Sequence, residues 1–362
     1  MFDFGKNSFL GIDIGTYSIK ALEVKVKGGR PTVTNYAWVS LDDIKGGGRY
    51  SFSESWPIYL RRMLKEAKIK SKNAYVSIPA AGALITLVEF PNIAREDLDQ
   101  AVKFEAHKYI PTSLENVVLS WDVVSINKET LIKRIAQGNE EKSGSEAKNK
   151  TQVILVAAPR DKVEKYEEII TKSGLKLKAV EIDSFSLVRS LVGNDQGNFV
   201  IVDIGSRICN IILVEKGIIK VNRNIDAGGR DITRTLAKDF GVSEERAQEM
   251  KISGQELMAG KTPVTFPVLD MIVQEIRRVL ADYYKNESGS QIDGLIVSGG
   301  TANLAGIADF FSNALKIKVI IGNPFSRMNL DKKLEAQLGK MKNQFSVSAG
   351  LVLKGTEEYL RK

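Results

Sequence analysis

One short phrase occurs twice in this chain of 362 residues: Gly11-Ile12-Asp13-Ile14-Gly15-Thr16 near the start and Val202-Asp203-Ile204-Gly205-Ser206 past the middle. Each closes an apolar run and opens the same local grammar. In the first copy, Phe9 to Ile14 predicts a strand and Thr16-Tyr17-Ser18 a tight turn. A second strand follows over Ile19 to Val26, and a third over Pro31 to Leu41 after Gly28-Gly29. In the second copy, a strand over Asn198 to Ile204 leads through a turn at Ser206-Arg207 to strands over Ile208 to Val214 and Ile218 to Ile225. A duplicated meander, with an aspartate and a glycine closing each first strand, points to two related halves that line one cleft.

A hairpin turn of this kind suits a phosphate chain. Glycine at 15 or 205 lets the backbone approach a phosphate with no Cβ in the way, and the amides of Thr16, Tyr17 and Ser18, or of Ser206 and Arg207, can point at its oxygens. Asp13 and Asp203 would repel the same phosphate. Their natural task is to hold a hydrated magnesium ion, which keeps several waters and takes one or two carboxylates. A single Asp-Ile-Gly reads equally well as a strand ending in a turn; two copies in one context favour the ligand. A third segment has related grammar, with a strand over Gly294 to Val297, a turn at Ser298-Gly299-Gly300-Thr301-Ala302 and an expected helix from Asn303 to Ala314. Gly299, Gly300 and Thr301 would bring bare backbone against a flat ligand or a phosphate.

With its three segments in this order, the chain resembles the actin, Hsp70 and sugar-kinase superfamily. The phosphate-1, phosphate-2 and adenosine signatures of that superfamily would be Gly11 to Lys20, Val202 to Ile212 and Val297 to Ile307. Within it, Ser8 to Gly15, Ile19 to Val24 and the stretch Ile225-Asp226-Ala227-Gly228-Gly229-Arg230-Asp231-Ile232-Thr233 resemble the PilM family of type IV pilus assembly. The likeness runs from Ser8 to Ser348-Ala349-Gly350-Leu351. It implies an α/β, actin-like ATPase fold of two lobes with a cleft between them and inserted subdomains. The expected division is 1–82 for the first part of subdomain 1A, 83–175 for an inserted α+β subdomain 1C and 176–196 for the return to lobe 1. Residues 197–230 and 293–342 would form subdomain 2A around a helical insertion 2B at 231–292, and 343–362 a helix returning to lobe 1.

The same resemblance implies ATP with magnesium as the ligand and assigns roles to single residues. Lys20 would touch phosphate. Gly228 and Gly229 precede an expected helix over Asp231 to Phe240 whose first turn faces the cleft. In Ala247-Gln248-Glu249-Met250-Lys251, Gln248 stands where the family carries a glutamate, and Lys251 keeps the lysine that meets adenosine. Asp183 has the position of the residue that orients attacking water; its own context reads equally as the cap of a helix over Ser184 to Leu191. No strong general base is apparent, so at most slow hydrolysis is expected.

Composition sets the outer limits. No apolar run is long enough to span a bilayer, and the first residues lack the apolar core of a signal peptide. The net charge of +8 comes from scattered lysines without a stacking platform, which argues against nucleic acid. Cys209, the one cysteine, is expected in the core, and His107, the one histidine, on the surface. Asn127 to Thr151 is polar and poor in apolar groups, so a mobile tip is expected there. The resemblance further implies a cytoplasmic protein held at the inner membrane through partners, with the N-terminal peptide of PilN bound on the 1C side and the inner-membrane assembly complex beyond it. An FtsA-like division protein is the alternative, and a small-molecule kinase of the superfamily the more distant one. The tail from Leu353 to Lys362 is too poor in apolar residues for the membrane-binding helix of FtsA.

Overall fold

The computed structural model describes residues 7–41, 52–91, 96–124, 151–253, 257–258, 264–286 and 291–361. The polar stretch expected to be mobile, 127–150, lies outside them. By contact density the chain divides into two compact units, residues 1–81 with 165–362, and residues 82–164.

In the first unit β1 (Ser8–Ile14) is buried along its whole length because it is central in its sheet. β2 (Ser18–Lys27) and β3 (Arg30–Ser40) follow it as antiparallel neighbours. α1 (Phe52–Glu66) then crosses to β4 (Asn73–Ile78), which pairs parallel to β1. The second unit begins with β5 (Leu84–Phe90) and α2 (Leu98–Ala106). β6 (Val117–Val123) and β7 (Thr151–Pro159) complete a three-stranded antiparallel sheet of order β5-β7-β6. One face of this sheet packs Val88, Phe90, Val153, Leu155 and Ala157 against Leu98 and Val102 of α2. Its other face carries Ile85, Leu87, Val118, Ile154 and Val156, all partly exposed. His107, just after α2, is exposed as expected.

After α3 (Arg160–Lys172), β8 (Lys176–Ile182) adds to the far side of β4, and α4 (Asp183–Leu191) ends the first half. The second half repeats the sheet. β9 (Asn198–Ile204), β10 (Cys209–Glu215) and β11 (Ile218–Ile225) form its meander, and α5 (Gly229–Phe240), α6 (Glu244–Ile252) and α7 (Pro267–Asn286) follow. β12 (Gly294–Ser298) then pairs parallel to β9. The expected helix from Asn303 is instead a 3-10 turn over Gly300–Asn303 and a helix α8 (Ile307–Leu315). The break falls at Gly306, whose φ of 83° belongs to the left-handed region that glycine enters without cost.

β13 (Val319–Ile321), α9 (Lys332–Leu338) and α10 (Ser346–Leu360) complete the chain. The two five-stranded sheets have matching orders, β3-β2-β1-β4-β8 and β11-β10-β9-β12-β13. Cys209 is fully buried in the second core, as expected. α10 is a core helix: Val347, Leu351, Val352 and Leu353 are buried, each worth about 1.5–3 kcal/mol of transfer free energy. It crosses α4 so closely that a Cβ on Gly350 would strike the Ser186 carbonyl.

Candidate functional site

Both meanders bring an aspartate and a glycine turn to one cavity. Asp13 and Asp203 end β1 and β9, and each is followed by a glycine whose amide closes the turn: Gly15 N–H to Ser18 O and Gly205 N–H to Ile208 O, both 3.0 Å. On the antiparallel neighbour, Asp13 faces Lys20 and Asp203 faces Asn210. On the parallel neighbour, Asp13 faces Ser77 and Asp203 faces Ser298. The repeat therefore extends to strand register.

The two aspartates nevertheless sit in different electrostatic settings. Asp13 is matched within the protein: Oδ2 accepts from Lys20 Nζ at 3.0 Å and Oδ1 from the Ser77 hydroxyl at 3.1 Å. Asp203 opposes the neutral Asn210, and desolvation pushes its carboxyl up to about 6, only partly offset by the Ser298 hydroxyl and the Lys20 charge. Asp183 is raised further, to about 7, by burial and then by the Asp13 and Asp203 charges. Both keep some surface open to the cavity and are otherwise enclosed by protein.

Asp183 is not the cap of α4. Ile182 holds the cap position, no side chain caps that end, and Asp183 is the first helical residue. Its Oδ1 accepts from the Ala80 amide at 3.1 Å and its Oδ2 from Asn210 Nδ2 at 3.3 Å, which ties β4, α4 and β10 together. A carboxylate with a proton affinity near neutrality is chemically suited to accept a proton from water.

The cavity measures about 860 Å³, within the usual range for a small-molecule site. Gly15, Thr16, Tyr17, Ser18, Lys20, Gly205, Ser206, Arg207, Gly229, Gln248, Lys251, Gly300 and Thr301 all line it, together with the three aspartates. Gly228 and Gly299 do not; they stand behind the wall, where backbone meets backbone. A Cβ on Gly228 would lie 2.6 Å from Ser206 O, and one on Gly299, with φ of 84°, would lie 2.5 Å from Ile204 O. The first turn of α5 is also turned inward. Its Gly229 and Arg230 amides donate to Gly205 O and Ser206 O at 2.8 Å each, so they are spent on the glycine turn.

Sequence reasoning missed Asn210, Ser77, Trp38 and Gln344. Asn210 was readable, since it follows Asp203 by the offset that separates Lys20 from Asp13. Trp38 and Gln344, on β3 and just before α10, carry no local signal; they reach the cavity only through packing. Among the described residues, no group of three or more His, Cys, Asp or Glu is arranged to hold a metal ion. Asp13, Asp183 and Asp203 thus form no ready-made cage, and a cation here would need further ligands from water or from a bound anion.

Comparison with known proteins adds to this geometry. Residues 11–356 match the family model of the type IV pilus assembly protein PilM. The ethanolamine utilization protein EutJ of Escherichia coli K12 is 28% identical over 144 residues, which are 40% of this chain and 47% of EutJ. The chain thus spans about half the length of that curated relative. Among solved structures, the PilM-PilN type IV pilus biogenesis complex superposes with a TM-score of 0.77 at 22% identity, covering 96% of this chain and 98% of that one. MreB5 of Spiroplasma citri bound to ADP superposes with a TM-score of 0.51 at 12% identity, covering 98% and 97%. These likenesses establish an actin-like ATPase fold.

Proposed function

The chain belongs to the PilM family of type IV pilus assembly proteins, and on that footing we propose that it is a nucleotide-gated scaffold that binds ATP and the N-terminal peptide of a PilN protein. The observation that carries the nucleotide half is the duplicated Asp-Gly turn around one cavity. In this reading the turns at Gly15 to Ser18 and Gly205 to Arg207 cradle the phosphates, with Lys20 beside them. Gln248, Lys251, Gly300 and Thr301 hold the nucleoside side of the ligand, and Gly228 and Gly299 act by letting the walls close up. Asp13 and Asp203 hold magnesium through its water shell, a mode that suits carboxylates which form no cage of their own. Magnesium, when bound, supplies positive charge that neutralises the phosphates. Asp183 orients an attacking water, and turnover is slow.

The partner half draws on the likeness to the PilM-PilN complex. In this reading the peptide docks on the inserted subdomain expected at 83–175, where the sheet face bearing Ile85, Leu87 and Ile154 offers partly exposed apolar side chains. Nucleotide and peptide would communicate through the lobes, because a ligand that prefers one lobe arrangement shifts the affinity for any other ligand that distinguishes the two. The protein would work at the cytoplasmic face of the inner membrane through such partners; among the described residues no helix is long and apolar enough to cross a membrane.

Calorimetric titration with the PilN N-terminal peptide, with and without Mg-ATP, tests the whole reading. Peptide affinity should change several-fold with Mg-ATP in the parent protein and lose that response in Asp203→Ala. Leu87→Asp should weaken the peptide about ten-fold or more while leaving ATP binding intact. No peptide binding in any nucleotide state would remove the scaffold reading.

A further inference from the structure

Two lysines reach the cavity, and the protein treats them differently. Lys20 Nζ lies 3.0 Å from Asp13 Oδ2, so its charge is matched within the chain. Lys251 Nζ donates to the Gly229 carbonyl and the Thr233 hydroxyl, both at 2.8 Å, and that hydroxyl lies 2.9 Å from Gln248 Oε1. Every one of these groups is neutral. Among the described residues no carboxylate is within ion-pair distance of Lys251. Glu244, on the same helix, is 3.9 Å from Arg230 and 3.7 Å from Arg234 instead. Burial pulls the Lys251 amine down to about 8, with no opposing charge to hold it up. An ammonium taken out of water without a counter-ion is costly, and the cost is relieved when a ligand brings the negative charge.

The neighbouring backbone makes the same point from another side. A helix start beside a cavity ordinarily offers its amides to an anion. In α5 the Gly229, Arg230 and Asp231 amides are bonded to Gly205 O, Ser206 O and Gly228 O, and the Gly228 amide to Asp231 Oδ2. None of these four is left for a ligand. Lys251 stands over that turn instead: a Cβ built on Gly229 would lie 3.3 Å from Nζ and 3.4 Å from Gly205 O, so the ammonium borders the second glycine turn. Asn303 and Gln344 line the same cavity with neutral amides; Glu244 and Glu245 line it too, and neither is within ion-pair distance of Lys251.

Resting on the nucleotide reading above, we propose that Lys251 pairs with the phosphate nearest the nucleoside, and that the neutral side chain of Gln248 keeps it available to do so. The cavity then selects for charge at that one phosphate. A nucleoside monophosphate already satisfies Lys251, whereas a nucleoside leaves a buried ammonium unmatched. A carboxylate at position 248 would neutralise the lysine from within and remove the preference.

The test is a titration of the full chain and of Gln248→Glu, Lys251→Met and Lys251→Arg with ATP, AMP and adenosine. Tryptophan emission reports binding, since Trp38 lies on the cavity wall. The parent should hold AMP at least about ten-fold tighter than adenosine. Gln248→Glu and Lys251→Met should each weaken AMP and ATP about ten-fold more than they weaken adenosine, so that the AMP-to-adenosine ratio falls about ten-fold, while Lys251→Arg keeps most of the preference. If Gln248→Glu raises the melting temperature and leaves the AMP-to-adenosine ratio unchanged, Lys251 is only a clamp between α5 and α6, and the proposal is wrong. If the parent binds none of the three ligands, the nucleotide reading itself falls, and this inference with it.

Discussion

At Asp183 the loss of water and the charges of Asp13 and Asp203 act in the same direction and raise the carboxyl from 3.8 to about 7. A folded-state value above the unfolded one means that the native protein holds this proton more tightly. The stabilising contribution is therefore complete below about pH 4 and is lost as the pH rises through about 7. Asp203 adds a smaller component of the same sign, lost as the pH rises through about 6. Asp183→Asn carries no charge to desolvate, and asparagine can still meet Ala80 and Asn210. Its melting temperature should match the parent's near pH 4 and exceed it by about 2 °C at pH 8. A difference that stays constant over that range would show that Asp183 is not the titrating group. At this scale the sequence was informative where a motif repeated: Asp13, Asp203, Gly15 and Gly205 were readable, and Asn210 could have been. Asp183 was ambiguous because an aspartate at a strand-to-helix junction has two ordinary uses, and only its partners Ala80 and Asn210 distinguish them.

Among the elements, the crossing of α4 and α10 is the most exacting. Gly350 rests on the Ser186 backbone, and around that contact Glu181 of β8 accepts from Arg189 Nη1 at 2.6 Å and Lys354 Nζ at 3.0 Å. Burial raises the Glu181 carboxyl, but the Arg189 and Lys354 charges outweigh it and hold the group below its usual value. Gly350→Ala must push the two helices apart and loosen that ion cluster. A loss of at least about 2 kcal/mol is expected, read as a fall of roughly 3 °C in the melting temperature. A variant that melts with the parent would mean that the crossing can yield. The strands were legible because alternating and continuous apolar runs with glycine turns have few other readings. Asn198–Ile204 and Ile218–Ile225 match the expected bounds. β13 and α9 were not legible: three and seven residues are too few to show a period.

Over the whole molecule, the two sheets of matching order place one cavity where both halves contribute. A ligand held by both should stabilise the fold as a unit. Mg-ATP at about 100 times its dissociation constant adds about 2.7 kcal/mol, which should appear as a rise of several degrees in the melting temperature. Lys251→Met should reduce that rise at the same ligand concentration. An unchanged melting temperature at saturating Mg-ATP would argue against nucleotide as the cleft ligand.

The sequence by itself determined the duplicated meander and the aspartate and glycine at the end of each first strand, because these depend on local pattern and backbone sterics. Only the tertiary structure decided that Asp13, Asp183 and Asp203 share one enclosure, that Lys20 is matched by a carboxylate while Lys251 is not, and that the first amides of α5 are spent on Gly205 and Ser206. Those facts concern residues far apart in the chain. Proton affinity and ion pairing follow from desolvation and from neighbours, and neither exists until the sheets have packed.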